Sequence, residues 1–316
     1  MRLLTFSAND KPRLGVQLGS GEVLDVAQAY ARLVREGKLP LANAITPASF
    51  PSALSDLLAQ GDAALTLTRE IVEAASDTDA QSLLRDAGLL APEQSVTYLP
   101  PIPQPGKIVC LGQNYRQHIL EMGRPLPEYP VLFAKLPNTL VGHQAPIRLP
   151  AISEQVDYEG ELAIVIGRGG KHIDEADAWG HIVGFTVFND VSVRDFQRRT
   201  TQWMQGKNFD TTGPMGPALV TLDEITHPEA LDLTVHLNGE VMQQGNTADF
   251  IFPIPSMIAY ISQIMTLEPG DIIATGTPGG VGSARTPQVF MRAGDTVSVT
   301  ISQVGTLRNT VQAAER

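Results

Sequence analysis

The chain has 316 residues, of which 43% are hydrophobic and 18% charged, enough for a large core in one large domain plus a smaller one. Its formal charge is −11, and with no Lys/Arg-rich run there is no electrostatic footprint for nucleic acid or an anionic membrane, so small molecules are the expected partners. The single cysteine, Cys110, excludes an internal disulfide framework and a thiolate zinc cluster.

The opening MRLLTFSANDKPRLG carries too short an apolar run for a signal peptide, and no later stretch approaches a membrane span, so a cytoplasmic protein is expected. The first 90 or so residues begin with short strand-like pieces (RLLTFSA, LGVQLG, EVLDV). They continue with the helix-like AQAYARLVREG and TLTREIVEAASDTDAQSLLRDAG, rich in Ala, Leu, Arg and Glu. No chemistry is evident in this part. YLPPIPQPGK then places prolines at 100, 101, 103 and 105, which forbids a helix and predicts an extended connection. The spacing divides the chain into a small domain over 1–98 and a larger one over 99–316.

Beyond that seam strands dominate: KIVCLG, PVLFAK, ELAIVIG, HIVGFTVFND, LDLTVHLNG, DIIATG and DTVSVTIS. The regular βα alternation of a doubly wound sheet is missing, so an α+β or mostly β mixed architecture is predicted. KIVCLG makes Cys110 a buried strand residue.

Four segments could carry chemistry. In GQNYRQHILEMG, His118 and Glu121 lie three apart on one side of any helix, as a base and the carboxylate that would orient it, although such pairs are usually surface hydrogen bonds. In VDYEGELAIVIGRG, the period of two puts Glu159 and Glu161 with Ala163 and Val165 on one face, opposite Tyr158, Leu162, Ile164 and Ile166. Such a pair usually faces water, but here both faces continue apolar. Two carboxylates roughly 6 to 7 Å apart along a strand repel each other when buried unless a proton, a base or a cation intervenes.

In GFTVFNDVSVRDFQRR, an apolar strand ends at Asp190, and Ser192 with Asp195 reads as the capping start of a helix. On that helix Arg194 and Gln197 share a face, as an exposed pair or as planar donors for a substrate carboxylate. WMQGKNFD puts Lys207 in a turn, where a lysine is ordinarily solvated. DIIATGTPGGVG follows a strand with a Gly-rich loop whose backbone donors could face an anion, yet it fits neither G-x-G-x-x-G nor the P-loop spacing.

The order of these segments is more specific than any one of them. G-x-N-Y-x-x-H-x-x-E, P-V-L-F-x-K, D-Y-E-x-E-L-A-x-V-I-G, G-F-x-x-x-N-D-V-x-x-R-D-x-Q, G-K-x-F-D and D-I-I-x-T-G-T-P-x-G-V-G together resemble the fumarylacetoacetate hydrolase family over residues from about 105 to 304. The resemblance implies an α+β fold whose strands coil into a mixed β-roll catalytic domain, preceded here by the smaller N-terminal α+β domain, in a homodimer. It also implies Mg²⁺ or Mn²⁺, one ion per subunit, on Glu159, Glu161 and Asp190.

By the same resemblance His118 and Glu121 form a general-base dyad, and Lys207 stands by the metal to stabilise an enolate. Tyr115, Arg194, Gln197 and Thr277 are implied substrate contacts. The added first domain and QW-x-x-GK-x-FD place the chain nearer the bacterial acylpyruvate hydrolase and 2-hydroxyhepta-2,4-diene-1,7-dioate isomerase branch. Hydrolysis of a carbon–carbon bond in an acylpyruvate or related dicarbonyl acid is the expected reaction. Decarboxylation or tautomerisation of oxaloacetate and isomerisation of a hydroxydienedioate use the same enolate. A non-catalytic oxo-acid binder would need neither His118 nor Lys207. Asp157 receives no role.

Overall fold

The computed structural model describes residues 1–42, 45–121 and 125–314, without the side chains of His118, Leu120 and Glu121. Its backbone is a 12-stranded sheet facing a 5-stranded one. At the centre of the large sheet, strand Gly160–Ile166 pairs antiparallel with Ile182–Asn189 on one side and with Ile272–Ala274 on the other. Ile272–Ala274 runs parallel to Ile108–Gly112, and the edge strand Val131–Lys135 closes that end. The small sheet is built from Glu240–Asn246, Asp232–Leu237, Thr296–Ile301 and Gly305–Gln312, with the short Ile147–Arg148 beside the last. Most pairings are antiparallel, as the missing βα rhythm predicts.

The alternation read in ELAIVIG separates two cores. Leu162, Ile164 and Ile166 pack between the sheets with Val235, Val299 and Ile301 and with the helix Ile254–Ile264. Ala163 and Val165 point the other way, into a second core with Phe188, Met215 and the helical residues Leu54, Leu57 and Ile71. A strand buried on both faces has no polar side, which is why ELAIVIG reads as a continuous apolar run. Each large aliphatic side chain so buried contributes roughly 1.5 to 3 kcal/mol relative to exposure.

Gly160 lies between the two glutamates at the approach of the sheets. A Cβ there would stand 2.3 Å from Val235 Cγ2 and 2.9 Å from Val299 Cγ1. Only hydrogen fits, so the small sheet lies close beneath this residue.

The N-terminal segment is helical where its composition predicts it, with one difference. TLTREIVEAASDTDAQSLLRDAG forms two helices, Asp62–Ala74 and Thr78–Asp86. Asp77 begins the second by accepting the N–H groups of Asp79 and Ala80, a side-chain cap that restarts rather than continues the turn. Strand Arg2–Ala8 joins the large sheet against Gly213–Thr221, and Thr97–Leu99, in which the 98/99 seam falls, pairs with the same strand. The large sheet is therefore continuous across that seam. Among the described residues no helix is long and apolar enough to cross a membrane.

Candidate active site

Strand register assembles the acids. Gly160 pairs with Asn189, so Asp190, one residue past the strand end, falls beside Glu159. Its N–H donates to the Glu159 carbonyl at 2.8 Å, and the Glu159 N–H donates to Asn189 Oδ1 at 3.0 Å. Glu159, Glu161 and Asp190 are all buried and offer carboxylate oxygens within 4.8 Å of one another.

Lys207, at the end of the short helix Met204–Lys207, is not solvated as a turn lysine would be; it is 1% exposed. Its Nζ lies 2.7 Å from Glu159 Oε2 and 2.6 Å from Asp190 Oδ2. Lys135 comes in from the edge strand, fully buried, with Nζ 2.9 Å from Asp190 Oδ1 and donating to the Lys207 carbonyl at 2.6 Å. Arg194 Nη2 meets Glu159 Oε1 at 2.7 Å, and its Nη1 donates to Gln197 Oε1 at 2.9 Å. The guanidinium is thus committed within the protein, and Gln197 keeps its Nε2 as donor.

Asp157, which the sequence left without a role, is the most completely satisfied acid of the group. Its Oδ1 accepts from the N–H groups of Tyr158 and Gly282, and its Oδ2 from Ser283 N–H and Arg194 Nε–H, all at 2.8 to 2.9 Å. The Gly-rich loop does turn backbone donors toward anions, and the anions are the protein's own: Gly282 and Ser283 hold Asp157, and Gly276 N–H holds Glu161 Oε2 at 2.9 Å. Ser192 is not the helix cap. It belongs to strand Ser192–Val193, paired with Val156–Asp157, and its hydroxyl donates to the Asp190 carbonyl at 2.9 Å; Val193 precedes the helix Arg194–Gln197. Pairing across the sheet outweighed a local cap.

Burial, and then the charges of Asp190 and Glu159, push the Glu161 carboxyl well above the usual carboxylate range. Burial also works against an ionised Asp190, but Lys135 and Lys207 hold it below its ordinary value. For Lys207 the cost of burial is outweighed by Asp190 and Glu159, which keep the ammonium protonated. Lys135 goes the other way, lowered by burial and by Lys207. With every group ionised, four carboxylates (Asp157, Glu159, Glu161, Asp190) would face three cations (Lys135, Arg194, Lys207), one negative charge in excess. Glu161 makes no ion pair among the described residues. A divalent cation fits this set: the donors are hard oxygens, and its charge would relieve the repulsion that raises Glu161.

Glu159, Glu161, Arg194, Gln197, Lys207 and Thr277 line a cavity of about 150 Å³, with Asp190 behind Lys207. Thr277 Oγ1 donates to the Gly160 carbonyl at 2.9 Å and accepts from Gln243 Nε2 at 2.8 Å. Tyr115 is elsewhere, buried edge-on against Phe250 at 5.0 Å and bordering a separate polar recess with Gln117, Asp232 and Asp249. His118 and Glu121 fall on the helix Arg116–Glu121, whose start is tied down by Gln117 N–H donating to Asp249 Oδ2 at 2.9 Å. Their side chains lie outside the described residues.

Lys135, Asp157 and Gln243 escaped the reading of single motifs. Asp157 had a signal in the crowding of three acids, and Lys135 in PVLFAK. Gln243, whose Oε1 accepts the Gly160 N–H at 3.0 Å, had none.

Fold and site together define an α+β scaffold with a buried triad of carboxylates that could hold a cation, beside two buried lysines. Residues 107–312 match the fumarylacetoacetate (FAA) hydrolase C-terminal family model, and the chain belongs to the fumarylacetoacetate hydrolase family. It is 42% identical over 315 residues to the oxaloacetate tautomerase YisK of Bacillus subtilis (strain 168), covering 98% of this chain and 100% of that one. It is 40% identical over 315 residues to the mitochondrial oxaloacetate tautomerase FAHD2A of Homo sapiens, covering 98% and 91%. The crystal structure of maleylpyruvate hydrolase from Sphingobium sp. SYK-6 in complex with manganese(II) ion and pyruvate superimposes with a TM-score of 0.76 at 30% identity, over 100% of both chains.

Proposed function

We propose that the protein interconverts the keto and enol forms of a small 2-oxo dicarboxylic acid, oxaloacetate above all, through an enolate held at the acidic triad. The observation that carries this is the buried Lys207 ammonium, fixed between Glu159 and Asp190 on the wall of the cavity. A fixed cation lowers a barrier when negative charge develops beside it, and the enolate oxygen is where that charge appears. The choice among enolate reactions is supported by the oxaloacetate tautomerases that align with nearly the whole chain.

Glu159, Glu161 and Asp190 would hold Mg²⁺ or Mn²⁺, which when bound supplies Lewis-acid polarisation of a 2-oxo group. Lys135 and Arg194 keep Asp190 and Glu159 aimed at one point. His118, oriented by Glu121, takes the proton from C3; Lys207 balances the charge that moves to the 2-oxygen. Return of the proton to that oxygen completes the enol, and the reverse sequence restores the ketone. Gln197 and Thr277 orient the acid.

Hydrolysis of an acylpyruvate is the second reading, supported by the likeness to maleylpyruvate hydrolase. There His118 activates water, and the same enolate leaves as pyruvate. One experiment separates the two. Metal-stripped protein restored with Mg²⁺ or Mn²⁺ is incubated with oxaloacetate, simple acylpyruvates, fumarylpyruvate and a hydroxydienedioate, and products are identified by NMR. Accelerated keto–enol exchange of oxaloacetate without pyruvate supports the tautomerase. Pyruvate plus a carboxylic acid from an acylpyruvate, with no effect on oxaloacetate exchange, replaces it with the hydrolase.

A further inference from the structure

The lining of the triad cavity is mixed. Beside its charged and amide groups stand the rings of Phe133 and Trp203, the indole set over Gly112. The order of these groups in space is defined. Lys207 Nζ stands 5.0 Å from the Phe133 ring centroid, and Phe133 meets Trp203 edge-on with centroids 5.4 Å apart. Trp203 immediately precedes the helix that ends in Lys207, and its carbonyl accepts the Gly206 N–H at 2.9 Å. One short segment therefore carries both the ammonium and the indole.

On its strand side the indole has no room to retreat. Gly112 ends strand Ile108–Gly112 of the large sheet, and a Cβ on it would stand 2.4 Å from Trp203 Cζ3 and 2.8 Å from Cη2. The ring rests directly on strand backbone, which cannot give way without disturbing its pairing with Val131–Lys135. The space, about 150 Å³, is well under the roughly 300 Å³ at which drug-sized ligand sites begin.

The geometry points to Trp203 as the residue that sets the length of acid the site accepts. This rests on the reading of a 2-oxo acid held at the triad. A four-carbon oxo acid fits between the ammonium and the indole, whereas the chain of a longer acylpyruvate or dienedioate meets the ring. The site so built selects short oxo acids by a clash with the longer ones.

The test uses the full-length Mn²⁺-loaded protein and its Trp203→Ala and Trp203→Leu variants, checked by circular dichroism. Calorimetry measures binding of 2-oxobutyrate and 2-oxooctanoate, acids of equal charge that differ in length. The parent should prefer the short acid, and each variant should shift the ratio of affinities toward the long acid by about tenfold or more, the scale of a few methylenes in an apolar pocket. Gly112→Ala, which forces the ring to move, should change the ratio as well. An unchanged ratio in folded Trp203 variants overturns the length filter and leaves the oxo-acid reading standing. Failure of the parent to bind either acid overturns the length filter, and failure to bind oxaloacetate as well overturns both.

Discussion

Asp157 and Arg194 form the buried ion pair that organises the candidate site: Asp157 Oδ2 accepts Arg194 Nε–H at 2.8 Å, while Arg194 Nη2 reaches Glu159 Oε1 at 2.7 Å. The three acids crowded into VDYEG therefore have two jobs. Glu159 and Glu161 face the cavity, and Asp157, outside its lining, braces both the arginine and the loop at Gly282 and Ser283.

Removing that brace should cost stability more than metal affinity. Asp157→Asn keeps the volume but gives up the charge opposite Arg194, and breaking a buried pair by neutralising one partner costs about 3 to 5 kcal/mol. Urea unfolding should show a loss on that scale, while the Mn²⁺ affinity of the folded variant falls less than in Glu161→Ala. A variant as stable as the parent would show that the four hydrogen bonds contribute little.

The triad predicts stabilisation by metal. A ligand that binds only the folded state at 100 times its Kd adds about 2.7 kcal/mol, so Mg²⁺ or Mn²⁺ should raise the Tm of the chelator-stripped protein. In Glu161→Ala the shift should vanish, and turnover with it. Equal shifts in both proteins would place the metal elsewhere.

For the dyad, His118→Ala should leave metal and oxo-acid binding nearly intact and lower turnover by roughly 10² to 10⁴, the usual contribution of a general base. Glu121→Gln should lower it less, because the imidazole remains but is less basic. Steady-state kinetics on the best substrate found settles this, and a fully active His118→Ala would remove the proton-transfer role.

His143, outside the site, predicts an acid-sensitive stability. Burial holds its pKa below the ordinary value, with Glu93 opposing and Arg308 adding to the effect, and its Nδ1 accepts the Arg308 N–H at 3.1 Å. The unfolded chain takes up the proton near pH 6.5, while the folded protein resists it to lower pH. Below about pH 6.5 the unfolded state therefore binds more protons and this contribution to stability falls as pH falls. His143→Asn, whose side-chain oxygen can accept the same N–H, should flatten that part of the profile in urea midpoints taken at pH 7.5 and 5.5. An identical slope would exclude His143 as its source.

Much of the fold was legible because burial leaves a period in the chain. ELAIVIG announced a strand buried on both faces, and its two sets of side chains do enter different cores. Asp190 was legible as the end of a strand, and Arg194 with Gln197 as a pair on one helical turn, because those relations span only a few residues. Ser192 misled because its local capping pattern competes with a pairing to Asp157 that lies far away in the chain.

By itself the sequence determined which residue types stand at each strand end, hence the inventory of acids, amides and lysines and the family whose motif order they follow. Only the tertiary structure decided which acid does what. Pairing of Gly160 with Asn189 brings Asp190 to Glu159, and an edge strand delivers Lys135 to Asp190. The aromatic wall likewise exists only because Trp203 meets a glycine more than ninety positions away in the sequence. The physical reason is common to all three. A buried charge or ring must be satisfied by whatever the packed strands bring beside it, and that neighbour is set by register across the sheet rather than by distance along the chain.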